Sequence, residues 1–208
     1  STPLVMEHQG EQVLLVWGAQ HLTMHQAKDG KVVWTCGGFN PDGAKLWPSI
    51  ATPVVVDGEA IVAYGRNDRG ITRLHGISLG GSGDVTATNR LWLRDDVGTF
   101  VPSPVAHEGK VYLVRDKGEV ECLEPATGKT IWTDKFPKGR GNYYGSPLIA
   151  GDKLFAPRED GVVFVASVAD GRFQLLSEND MGESVIASPV PFDNRLVIRG
   201  VEQLFCYD

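Results

Sequence analysis

Short apolar runs recur along the chain, each broken by a brief polar signal of the kind that turns a hairpin. LVMEHQGEQVLLV begins at Leu4, VVVDGEAIVAY at Val54, VAHEGKVYLV at Val105, LIAGDKLFA at Leu148 and VPFDNRLVI at Val190. Each run follows a Ser/Thr-Pro pair: Thr2-Pro3, Thr52-Pro53, Ser103-Pro104, Ser146-Pro147 and Ser188-Pro189. The prolines stand 50, 51, 43 and 42 residues apart, which marks an internal repeat. A third apolar run follows each hairpin, then a second turn, then a fourth strand that opens with an aromatic. The fullest copy is EVECLEPATGKTIW, from Glu119 to Trp132. Residues 27–34, AKDGKVVW, repeat its second half. The second copy takes a longer turn, Gly80 to Asp84, before Trp92. In the fourth, VADGRFQL over 168–175 puts Leu175 in the tryptophan's place. The fifth stops at LFCYD, residues 204–208, after its third strand.

Each unit therefore predicts four antiparallel strands, with blades over 2–51, 52–102, 103–145, 146–187 and 188–208. One four-stranded sheet cannot bury both its faces, so the copies must stack. Radial stacking around an axis also protects the sheet edges. The expected fold is all-β: a β-propeller with about four and a half blades. Trp34, Trp92 and Trp132 are the expected anchors, large side chains that fill the gap between neighbouring blades.

Composition agrees and narrows the function. The 208 residues include 25 Gly and 12 Pro, which break helix interiors and argue against a helical bundle. A net charge of -6, with no Lys/Arg tract, lacks the basic footprint of a nucleic-acid binder. No apolar run is long enough to span a bilayer. Three cysteines, Cys36, Cys122 and Cys206, make neither a disulfide framework nor a CxxC site. The N-terminus carries no basic and apolar export signal.

The unit S-P-V-x-x-x-G-K-V-Y-L-x-x-x-x-G-x-x-x-C-L-x-x-x-T-G-K-x-x-W, read from Ser103, resembles the quinoprotein-type propeller repeat. That repeat was first described in pyrroloquinoline-quinone-dependent dehydrogenases. It also occurs in the scaffold lipoprotein of the outer-membrane protein assembly machinery and in many exported bacterial proteins. The resemblance covers essentially the whole chain, and it rests on packing residues, so it speaks for fold more than for function. It implies a ring of seven or eight blades, of which this chain would be a C-terminal portion; edge-to-edge association of two copies is the alternative. It also implies an exported, periplasmic or secreted protein, with Cys122 and Cys206 inert on buried strands.

Aligning the repeats on the third strand puts Arg66, Arg115, Arg158 and Arg199 at one equivalent position, occupied by Trp17 in the first repeat. Arginines at one radial level would make a positive mouth able to hold a carboxylate or phosphate bidentately. The competing reading is local pairing: Asn67-Asp68, Asp116 and Glu159-Asp160 follow three of them. The connection KGRGNYYG from Lys138 joins two cations to Tyr143 and Tyr144, and with Arg140 has the composition of a recognition surface. The connection from Gly37 to Trp47 carries Phe39 and Trp47, and the acidic one from Ser177 to Glu183 reads as solvated.

Catalytic signatures are absent: there is no GxSxG, HExxH, P-loop or GxGxxG. His21 and His25 lie about 13 Å apart on a strand, too far for one metal, while His8, His75 and His107 stand isolated. The family's enzymes use a vicinal Cys-Cys pair or equivalent platform, a calcium site and a catalytic Asp; no Cys-Cys or calcium set is found here. The residues favour a non-catalytic scaffold without a cofactor. It would engage a protein, peptide or glycan through Arg66, Arg115, Arg158, Arg199, Trp17, Arg140, Tyr143 and Tyr144. The alternative is an oxidoreductase that uses pyrroloquinoline quinone with calcium, or a degenerate relative of one.

Overall fold

The structure is a computed structural model that describes residues 1–18, 20–40, 43, 49–66 and 71–208. Among these, regular structure is strand throughout, apart from one 3-10 turn at Ala169–Gly171. The first sheet runs β1 (Leu4–His8), β2 (Glu11–Trp17), β3 (Leu22–Gln26) and β4 (Val32–Cys36). The second is β5 (Val54–Val56), β6 (Glu59–Arg66), β7 (Ile71–Ser78) and β9 (Arg90–Arg94). The third is β10 (Val105–His107), β11 (Lys110–Val114), β12 (Glu119–Leu123) and β13 (Thr130–Lys135). The fourth is β14 (Leu148–Ala150), β15 (Lys153–Pro157), β16 (Val162–Ser167) and β17 (Gln174–Asp180). The fifth has three described strands, β18 (Val190–Phe192), β19 (Arg195–Arg199) and β20 (Leu204–Tyr207). Neighbours within these meanders pair antiparallel.

The long turn of the second repeat has a structural use. Its strand β8 (Gly83–Asp84) pairs in parallel with β4 of the first sheet, Trp34 facing Gly83 and Thr35 facing Asp84.

The chain divides into two compact units, residues 1–100 with 125–128, and residues 101–124 with 129–208. In the first unit the repeated tryptophans couple one sheet to the next. The Trp34 indole donates Nε1–H to the Leu79 carbonyl at 3.0 Å, and Trp92 to the Pro125 carbonyl at 2.7 Å. Residues 125–128 thus join the first unit as the shelf under Trp92. In the second unit Trp132 lies against Tyr112 and Phe173, at centroid distances of 5.9 and 6.1 Å, and its buried Nε1 has no hydrogen-bond partner.

The strand register corrects the reading of the fourth repeat. In four sheets the third and fourth strands carry a bulge just past the anchor position. Trp34 faces Met24, Trp92 faces Gly76 and Trp132 faces Cys122, while the residue in that place opposite Val165 is Ser177, not Leu175. The 3-10 turn and the residues after it lengthen the connection, so counting from the turn glycine stops two residues short.

The Ser/Thr-Pro pairs are joints. The Thr2 amide donates to the Thr52 hydroxyl at 3.4 Å, Ser103 to the Ser146 hydroxyl at 3.0 Å, and Ser146 to the Ser188 hydroxyl at 2.9 Å. A hydroxyl at the head of one inner strand therefore receives the amide at the head of the strand before it. The proline that follows fixes φ and withholds a further donor.

One cysteine departs from expectation. Cys36 and Cys122 are buried, but Cys206 is exposed, because β20 is covered on one side only, by β19.

Candidate functional site

The second unit carries a face built from the β11–β12, β15–β16 and β19–β20 turns together with the connections that lead to β14 and β18. Arg115 and Arg158 occupy matching turn positions: the Arg115 amide donates to the Glu119 carbonyl at 2.8 Å and the Arg158 amide to the Val162 carbonyl at 2.8 Å. Their side chains differ in exposure. Arg158 is buried; its Nε donates to Asp160 Oδ1 at 2.7 Å, its Nη1 to the Pro137 carbonyl at 2.9 Å, and its guanidinium lies 4.8 Å from the Phe164 ring centroid. The hydrogen bond and charge of Arg158 hold the Asp160 carboxyl below the usual carboxylate range. Local pairing thus wins at Arg158, whose charge is met inside the protein and which is withdrawn as an anion ligand. Arg115 is half-buried and Arg199 exposed. The side chain of Arg66, with Asn67-Asp68 and Trp47, lies outside the described residues.

The connection over Arg158 is where exposed chemistry collects. A Cβ at Gly139 would lie 2.1 Å from the Arg158 Cζ, so only glycine lets the loop pass this close. Tyr143, expected at the surface, is buried beneath the loop; its ring stacks on Phe136 at 5.9 Å and its amide donates to the Asp116 carbonyl at 3.0 Å. Burial pushes its phenol well above the usual tyrosine range. Asn142 binds the loop to the next sheet: Glu159 N donates to its carbonyl at 2.9 Å, and its amide donates to Glu159 Oε2 at 3.3 Å. Its side chain also donates to the Tyr144 hydroxyl at 3.0 Å and accepts from Lys117 Nζ. Lys117, Lys138 and Arg140 are exposed and Tyr144 is half-buried. This patch of three cations and a phenol rests on a fixed floor.

The acidic connection holds a residue that sequence reasoning passed over. The Glu183 carboxylate accepts the backbone amides of Glu202 at 3.0 Å and Gln203 at 2.9 Å, clasping the β19–β20 turn. Glu183 is therefore a brace; the amides it binds have no side-chain signature, so no sequence signal pointed to it.

In the first unit Trp17 is buried, not a ligand platform. Its ring meets Phe39 edge-on at 4.7 Å and Tyr64 at 5.4 Å. His75, which looked isolated, stacks on Tyr64, and its Nε2 is hydrogen-bonded with the Tyr64 hydroxyl at 2.8 Å. Burial, with the charges of Arg90 and Arg73, pulls the His75 pKa down to about 3. The ring is therefore neutral, and its Nδ1 is buried without a hydrogen-bond partner.

The described residues do not fit a quinone held by calcium. No two cysteines are adjacent, Trp17 and Trp34 are core, Trp92 and Trp132 are wedged between sheets, and Arg158 is already paired.

Sheet topology and interblade anchors define the fold class: four-stranded antiparallel meanders of the β-propeller kind. Residues 82–179, a little under half the chain, match the family described as outer membrane protein assembly factor BamB. The chain is 30% identical to a tetrathionate hydrolase of Acidianus ambivalens over 151 residues, which is 62% of this chain and 27% of that protein. Its fold is similar to that of BamB from Moraxella catarrhalis, with a TM-score of 0.62 and 16% identity over 95% of this chain and 57% of that one. It is also similar to the quinohemoprotein alcohol dehydrogenase ADHIIG from Pseudomonas putida HK5, with a TM-score of 0.69 and 14% identity over all of this chain and 40% of that one. The chain thus spans only part of the length of each. Among the described residues no helix is long and apolar enough to cross a membrane.

Proposed function

We propose that this chain is a non-catalytic binding scaffold that engages a protein or peptide through the face of its second unit, in the periplasm or outside the cell. The observation that carries this reading is the loop over Arg158, which presents Arg140 and Tyr144, with Lys117 of the β11–β12 turn bonded to its Asn142, from a floor fixed by Tyr143, Asn142 and Glu159. An anchored aromatic on a loop that also carries cations contacts a polypeptide at low entropic cost and favours an acidic one. The match to an assembly-factor family supports a protein partner over a glycan.

The test is site-specific photo-crosslinking. A photoreactive residue at Tyr144 is expected to give one discrete adduct in the cell envelope, lost with Arg140→Ala, while the same residue at Glu11 gives none. Equal labelling at both positions would overturn the reading. A second reading, an enzyme that uses quinone and calcium or a degenerate relative, draws on the tetrathionate hydrolase and alcohol dehydrogenase likenesses. It predicts that pyrroloquinoline quinone with calcium raises the melting temperature of the full-length protein in a dose-dependent way. A scaffold gives no such rise.

A further inference from the structure

At the end of β11 away from Arg115, two hairpins of adjacent sheets meet. His107 closes β10, and Glu108 opens the turn into β11. Asp152 sits in the turn between β14 and β15. Adjacent strand residues point to opposite faces, but Glu108 is left-handed, at φ 48°, which lets its carboxylate turn toward His107. One ligand atom from each of His107, Glu108 and Asp152 lies within 4.8 Å of the others, and His107 Nε2 stands 3.6 Å from Asp152 Oδ1. That His107 nitrogen is buried and has no hydrogen-bond partner. Neither carboxylate pairs with a lysine or arginine among the described residues. The Asp152 backbone is pinned by the Val168 amide, which donates to its carbonyl at 2.9 Å just past the paired ends of β15 and β16.

We propose that His107, Glu108 and Asp152 form a binding site for one divalent cation of the zinc type, bridging the third and fourth sheets. One imidazole with two carboxylates is a nitrogen and oxygen donor set suited to zinc and its first-row neighbours, whereas calcium and magnesium prefer oxygen alone. Ligands about 2.0–2.2 Å from a metal lie roughly 3–4 Å from one another, so the His107–Asp152 separation already suits coordination and closure asks for a small shift of Glu108. The three donors leave the fourth tetrahedral position to water. The cation takes up the negative charge of the two carboxylates and adds a tie at the tips of two hairpins whose strands already pack in one core. The site is independent of the loop over Arg158.

The test uses the whole chain with Cys206→Ser, so that the exposed thiol does not compete. Zinc chloride alone is titrated by calorimetry. One equivalent is expected to bind, and each of His107→Gln, Glu108→Gln and Asp152→Asn should weaken it at least tenfold. Glu108 and Asp152 are exposed turn positions and His107 ends its strand half-buried, so the metal-free Glu108→Gln and Asp152→Asn variants should melt with the parent, and X-ray absorption of the zinc-loaded parent should show nitrogen and oxygen neighbours only. Absence of a stoichiometric site, binding unchanged in the three variants, or a site that persists in them and is lost with His21→Gln and His25→Gln would each overturn the proposal.

Discussion

The Trp92 indole lies on Gly128: a Cβ on that glycine would come within 2.6 Å of Trp92 Cε3. This contact adds a second demand for glycine at this one copy of the turn. The residue must adopt a left-handed backbone, at φ 66°, and must also leave room for the anchor of the sheet before it.

The two demands can be separated. Gly171 has nearly the same φ, 65°, with nothing within 4 Å of its would-be Cβ. Gly171→Ala should therefore cost only the backbone strain, about 1–2 kcal/mol. Gly128→Ala should cost that plus overpacking, roughly 1–3 kcal/mol more. Urea midpoints of the two variants measure the difference, which should also appear as a red shift in tryptophan emission for Gly128→Ala alone.

Asp160 neutralises the buried Arg158. Asp160→Asn should destabilise the protein by about 2–3 kcal/mol at pH 7, since it leaves a buried guanidinium without its counter-ion. The Arg158 hydrogen bond lowers the folded-state pKa of Asp160, so its contribution is full above the unfolded carboxylate value near 4 and fades as pH falls through the folded value. The parent and Asp160→Asn midpoints should converge toward pH 2.

His75 gives a titration of opposite origin. Its folded pKa of about 3 lies below the unfolded value near 6.5, so the unfolded chain binds a proton that the folded one refuses. Stability should fall as pH drops below about 6.5, by roughly 1.4 kcal/mol per pH unit until the folded value is reached. Chemical denaturation between pH 7 and 4 checks the slope, which His75→Gln should remove. The imidazole carbon resonances of His75 should stay at their neutral positions down to pH 5.

Much of the fold was legible because each repeat announces itself through local chemistry. The Ser/Thr-Pro heads, the turn glycines and Trp34, Trp92 and Trp132 are short-range signals that act at a fixed spacing. Ser177 escaped because the connection around a 3-10 turn is longer there without any residue that marks it. The candidate site was harder to read, since Arg115, Arg158 and Arg199 share a sequence position but not a surroundings. What buries Arg158 is a loop that glycine brings down upon it, and what buries Tyr143 is the ring of Phe136 beside it. His107 looked solitary for the same reason: Asp152 arrives from a different sheet.

The hydroxyl joints at Thr52, Ser146 and Ser188 bear on how such a chain can change. Each joint asks only for a small hydroxyl on one strand head and an amide on the one before it, whatever the rest of the two sheets contains. A whole repeat can then be duplicated, lost or exchanged without new complementarity at the inner rim. Length differences, such as the β8 insertion, are absorbed at the outer strands. The inner rim works as a standard coupling, and the outer strands and loops are where one repeat can become unlike another.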